Sequence, residues 1–87
     1  MTTRSWAVRI TVRLDAGVND PQGNTVREAL ETLGHADVRR VRVGKVIDLV
    51  LDADSEAAAR ERAEGLCREL LANPVIETYS AEVMGQV

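Results

Sequence analysis

Apolar and polar positions alternate from the start of the chain: Trp6, Val8, Ile10, Val12 and Leu14 interleave with Ala7, Arg9, Thr11 and Arg13. Period-two alternation of this length predicts a strand with one buried face. Residues 15–20 form a loop around Gly17, and a helix is expected from Pro21 to Leu33. Asp20 suits the N-cap, since its carboxylate can accept from free amides of the first turn. Pro21 suits the first helical position, which needs no N–H. Val26, Ala29, Leu30 and Leu33 then share one helical face, and Gly34 is a natural stop. Val38 to Val43 reads as a second strand, with Val41 and Val43 on its apolar side. Ile47, Leu49 and Leu51 form the apolar side of a third. A hairpin between these two must keep like polarity on each face, because a one-residue slip inverts it. That condition calls for an odd-length loop or a bulge near Gly44, facing Val43 to Ile47 and Val41 to Leu49. Ser55 or Asp54 caps a second helix over Glu56 to Leu71, with Ala59, Ala63, Leu66, Cys67, Leu70 and Leu71 on its apolar side. Gly65 interrupts it at about 1 kcal/mol relative to alanine. Pro74 ends the helical region, and Val75 to Met84 holds a last strand carrying Tyr79, Ala81 and Val83.

The expected order is strand, helix, strand, strand, helix, strand: an α+β, ferredoxin-like β-α-β-β-α-β domain. Right-handed crossovers put both helices on one face of the antiparallel sheet. The other face then carries Arg9, Thr11 and Arg13, which suit water, and Val46, Asp48 and Val50, which suit it poorly. An apolar strip on an open sheet is a candidate self-association face, so a sheet-mediated dimer is expected.

Eighty-seven residues make one domain, spanning 1–87. A chain this short buries only about 60–65% of its unfolded surface, so a partner would help it. A net charge of −3 does not suit a dedicated nucleic-acid binder, and no 18-residue apolar run is present for a membrane span. The leader Met-Thr-Thr-Arg-Ser has no apolar signal region and is expected to fray; a cytoplasmic location is expected. The single cysteine, Cys67, excludes an internal disulfide and a Cys-pair metal site.

Catalytic chemistry is hard to find. His35 is the only histidine and lies at a helix end without evident partners for base catalysis. Cys67 lies on an apolar helix face with no activating neighbour. Asp52, Asp54 and Glu56 read as a strand end and a helix cap rather than a cation site. The glycines form no phosphate-binding loop. Arg39, Arg40, Arg42 and Lys45 make one basic cluster. RNA-recognition domains share this element order but stack bases on aromatics, and here there is no Phe, one Trp and one Tyr. No catalytic residue, metal site or bound cofactor is therefore expected on this chain.

Three motifs in order carry a family resemblance: Asp20-Pro21-Gln22-Gly23 after the first strand, Arg42-Val43-Gly44-Lys45, and Leu70-Leu71-Ala72-Asn73-Pro74-Val75-Ile76-Glu77 followed by Tyr79. From Trp6 to Val83 the chain resembles the PurS-type small subunit of phosphoribosylformylglycinamidine synthase, a purine-biosynthesis ligase. Asn19 stands where that family commonly has an apolar residue.

The resemblance implies a non-catalytic subunit, in homodimers or dimers of dimers, that bridges an ATP-dependent synthetase and a glutaminase. ATP and magnesium would sit on the synthetase. Ammonia freed from glutamine would be passed to formylglycinamide ribonucleotide. Asp20, Pro21, Gln22, Gly23, Arg42 and Lys45 are the expected partner contacts. Val46, Asp48 and Val50 are the expected self-association residues. The alternative is an amino-acid-sensing ferredoxin-like regulatory module, which would also pair through its sheet.

Overall fold

The computed structural model describes residues 3–87. Three antiparallel strands form one sheet in the order β2-β1-β3: β1 (Arg4–Leu14), β2 (Lys45–Ala53) and β3 (Glu77–Gln86). Helix α1 (Pro21–Thr32) follows β1, and α2 (Glu56–Leu66) follows β2. The α+β class, the antiparallel sheet and both connecting helices are as the hydrophobic pattern predicts. Arg4 and Ser5, expected to fray, are already in β1: Ser5 Oγ donates to Asp52 Oδ1 at 2.8 Å and Arg4 Nη2 to the Asp54 carbonyl at 3.0 Å. Thr3, also in the expected leader, is exposed and precedes the strand, and Met1 and Thr2 lie outside the described residues.

The core is the even-numbered face of β1. Trp6, Val8, Ile10 and Val12 are buried under Ala59, Ala63 and Cys67 of the α2 segment. Ile47, Leu49 and Leu51 flank them on β2, and Tyr79, Ala81 and Val83 on β3. Small residues on α2 let the helix approach the sheet closely. Trp6 keeps its indole N–H satisfied by donating to the Ala53 carbonyl at 3.0 Å. A bulge between Ala7 and Val8 leaves Met84 of β3 out of register, and Gly85 beside it takes φ +144°, a conformation that favours glycine.

Two expectations are corrected. Val38 to Val43 is not a strand, and no hairpin forms at Gly44. Gly44 stays out of the left-handed region that a tight hairpin turn demands. An alanine Cβ there would lie 2.7 Å from the Val12 carbonyl oxygen, so the chain runs straight into β2 along β1. Helix α1 also does not lie on the sheet. Among the described residues it has no extensive packing interface with a strand or with α2. The face of Val26, Ala29, Leu30 and Leu33 is largely in water, with Leu33 73% exposed. The result is a long molecule, 58 × 26 × 14 Å.

Helix α2 is also shorter than its pattern suggests. From Cys67 to Leu71 it continues as a π-helical turn, with Ala72 N–H donating to the Cys67 carbonyl at 3.0 Å. The wider turn returns Leu71 rather than Leu70 to the face of Cys67. Leu71 packs on the core, while Leu70, expected there, is 83% exposed.

Candidate functional site

Asp20 organises the end of the molecule where β1, α1 and β2 meet. Its Oδ1 accepts from Gly23 N–H at 2.8 Å, which is the helix cap the sequence predicts. Its Oδ2 accepts from Val43 N–H at 2.7 Å, a contact across 23 residues that no local pattern announces. The Val43 and Gly23 amides, with Arg42 nearby, hold this carboxyl below the usual carboxylate range although burial opposes them. The side chain is a clamp and is only 4% exposed.

Gly23 is buried beneath the same clamp. A Cβ at this position would run into the Val41 carbonyl oxygen and stand 2.8 Å from Asp20 Oδ2. Pro21 and Gln22 are exposed. Arg42 donates to the Val18 and Asp15 carbonyls, both at 2.8 Å, and Arg40 to the Ala16 carbonyl at 3.4 Å. The basic cluster thus stitches the segment before β2 to the β1–α1 loop. Two of its guanidiniums are committed to the protein's own backbone.

Of the expected partner-contact residues, Asp20, Pro21, Gln22 and Lys45 border one surface hollow of about 360 Å³, with Val43, Gly44 and Glu77. Arg42 borders a second, of about 340 Å³, with Arg13 and Arg40. Gly23 lies under the surface rather than on it. Glu77 was not singled out from the sequence. Its Oε1 accepts from Asn73 N–H at 2.6 Å, which ties the Asn-Pro-Val-Ile-Glu motif to this end of the sheet. The cue lay in the motif, where only the proline had an obvious local purpose.

The other expected face is the odd-numbered side of β1 with Val46, Asp48 and Val50 of β2. Val46 and Val50 are 58% and 61% exposed. Between them Asp48 accepts from Arg9 Nε at 2.8 Å. That pairing lowers the Asp48 pKa and raises that of Arg9. Ala7, Val50 and Met84 line a shallow depression beside the pair.

The π-helical turn buries the Cys67 thiol, and burial pushes its pKa up. His35 is exposed at the end of α1. Among the described residues no three His, Cys, Asp or Glu side chains gather as a metal site. No helix among them is long and apolar enough to cross a membrane.

Residues 7–85 match the family model described as PurS, phosphoribosylformylglycinamidine (FGAM) synthase. A protein of Synechocystis sp. called phosphoribosylformylglycinamidine synthase subunit PurS is 43% identical over 93% of this chain and 81% of its own length. One of the same description from Archaeoglobus fulgidus is 44% identical over 82% of this chain and 89% of its own. Among solved structures, Methanocaldococcus jannaschii PurS superposes with a TM-score of 0.82 at 35% identity, covering 92% of this chain and 96% of that one. A chain in the structure of PurLQS from Thermotoga maritima also gives 0.82, at 32% identity, covering 92% and 98%.

Proposed function

Because the chain belongs to the PurS family of phosphoribosylformylglycinamidine synthase subunits, we propose that it joins the synthetase and glutaminase of that ligase into one working complex. The observation that carries this is the family match over residues 7–85, joined to the likeness to a chain of the Thermotoga maritima PurLQS structure. The family match leaves the amino-acid-sensing alternative without support.

In this reading the chemistry belongs to the larger subunits. The synthetase holds ATP, magnesium and formylglycinamide ribonucleotide, and the glutaminase releases ammonia. Free ammonia in neutral water is mostly protonated and no longer a nucleophile. A docked assembly keeps it out of bulk water until it meets the activated formamide carbonyl. This chain supplies area and geometry for that docking, in the cytoplasm.

Asp20, Pro21, Gln22, Gly23, Arg42 and Lys45 make the end of the sheet that meets the larger subunits. Gln22 and Lys45 reach the partner directly. Asp20, Gly23 and Arg42 shape the surface from beneath through the hydrogen bonds described above. Val46, Asp48 and Val50 contribute a face to a homo-oligomer.

The test is reconstitution from purified subunits. Glutamine-dependent amidine formation is expected to collapse without this chain, while formation from added ammonium salt persists. Equal glutamine-dependent rates with and without the chain refute the proposal. A Gln22→Ala, Lys45→Ala double variant is expected to weaken co-purification with the synthetase; undiminished assembly removes the two contacts.

A further inference from the structure

Three arginines converge on one hollow at the loop end of the sheet. Arg13, Arg40 and Arg42, with Thr78, border a space of about 340 Å³. Among the described residues no acidic side chain borders it. Nor does a described carboxylate pair with any of the three, whereas Arg9 and Arg27 each have one. Asp20 is the acid that feels Arg42, and its two oxygens are taken by the Gly23 and Val43 amides. Glu77 and Lys45 border the neighbouring hollow instead. The chain as a whole carries −3, so this unbalanced positive charge is a local feature and does not follow from composition.

The cluster is also held in place. Arg42 donates from Nη1 to the Val18 carbonyl and from Nη2 to the Asp15 carbonyl, both at 2.8 Å, and Arg40 reaches the Ala16 carbonyl at 3.4 Å. Neutral carbonyls fix a guanidinium without cancelling its charge. Arg42 spends two of the five donors of a guanidinium on them, which leaves three for a ligand. Arg13 comes from the other side, opposite Thr78 in the β1–β3 ladder. Its stem passes over Gly44, where an added Cβ would stand 3.1 Å from Arg13 Cγ. Like charges gathered this way repel one another, and an anion among them removes that cost. Donors fixed in advance also lower the ordering cost of whatever binds.

We propose that this hollow binds the phosphate group of a small phosphomonoester. Planar guanidiniums meet phosphate oxygens two at a time, and several oxygens are needed to engage three of them. A lone side-chain carboxylate would leave part of the set idle. Small-ligand sites run from about 300 to 1,000 Å³, so this one has room for a compact ester and not for a polymer strand. Single-stranded nucleic acid would also want aromatic platforms, and none borders the hollow among the described residues. The proposal gives a ligand chemistry to a place that the docking reading treats only as surface, and it does not depend on that reading.

The full chain is titrated with inorganic phosphate and with glycerol 3-phosphate at constant ionic strength, followed by amide chemical shifts in NMR. Saturable shifts are expected at Arg13, residues 40–44 and Thr78, with the ester bound more tightly than the free ion. Arg13→Gln and Arg40→Gln, both at exposed positions, are each expected to weaken binding about tenfold, the scale of one charge-assisted hydrogen bond. Arg60→Gln on α2, also exposed, is expected to leave it unchanged. Should either arginine variant lose its dispersed spectrum, the other decides. No saturable shift with either probe overturns the proposal, as do the same shifts from chloride alone or undiminished binding in a folded Arg13 or Arg40 variant. Tighter binding of inorganic phosphate than of the ester assigns the site to the free ion and overturns the ester. Saturation by a glutamate-rich peptide but not by phosphate assigns it to a protein surface and overturns the proposal too. Every reading uses this chain alone, so failure here and failure of the bridging role are separable.

Discussion

The same substitution, glycine to alanine, should have opposite effects in the two helices. In a helix interior it is worth about 1 kcal/mol of stabilisation from backbone entropy alone. At Gly65 in α2, among the described residues and apart from its own helix backbone and chain neighbours, an added methyl meets just the flexible end of Arg68, 3.8 Å away, so the gain should appear nearly whole. At Gly23 in α1 the methyl meets the Val41 carbonyl and Asp20 Oδ2, one of them backbone and the other fixed by two hydrogen bonds. Overpacking against backbone costs about 2–3 kcal/mol, the upper part of the usual range, and outweighs the propensity gain, leaving a net loss of about 1–2 kcal/mol. For a domain of this size 1 kcal/mol moves Tm by about 4–8 °C. Thermal unfolding followed by circular dichroism, at one fixed protein concentration, should therefore show Gly65→Ala above wild type by a few degrees. Gly23→Ala should fall below it by about 5–15 °C. A Gly23→Ala protein at or above the wild-type Tm would refute the view that Gly23 is there for the close passage of the Val41 backbone. A Gly65→Ala protein that melts lower would mean something else needs that space.

Three further outcomes are expected. Ile10, fully buried at the centre of β1, should cost about 2–5 kcal/mol on change to Ala, and urea unfolding should show it as a lower midpoint with unchanged slope. Cys67 should ignore a thiol reagent in the native protein and react fully once urea unfolds it, because burial both hides the sulfur and raises its pKa; fast native labelling would contradict the packing of the π turn. Asp20 has a folded pKa below its unfolded value of about 3.9, so its stabilisation is complete above that value and disappears as pH falls through the folded pKa. Asp20→Asn keeps one acceptor but turns an amide donor toward a backbone N–H. Its Tm deficit should be full at pH 7 and shrink below about pH 4, and a deficit constant with pH would refute the carboxylate clamp.

Much of the fold is legible along the chain because β1 and α2 each satisfy one local rule. Trp6 to Leu14 alternates so cleanly that only one face can be buried. The alanines of α2 announce a helix that packs closely, and Ser55 starts it as expected, its hydroxyl accepting from Ala58 N–H at 3.1 Å. Asp20 is equally legible as a cap. Its second bond, to Val43, is not, because it joins residues whose nearness depends on the path of the whole β1–α1–β2 connection. The family could be named from three short motifs, and the comparisons agree; that Asp20, Gln22, Lys45 and Glu77 border one hollow could not.

The sequence by itself determined β1, the two helices, the strands now numbered β2 and β3, and the family, since these follow from local spacing and from residues read in order. Only the tertiary structure decided whether α1 and residues 38–43 fold back on their own sheet. A pattern of valines states that a face must be covered without stating by which molecule. Gly44 lies too close to the Val12 carbonyl, and too far from a left-handed turn, to send the chain back on itself.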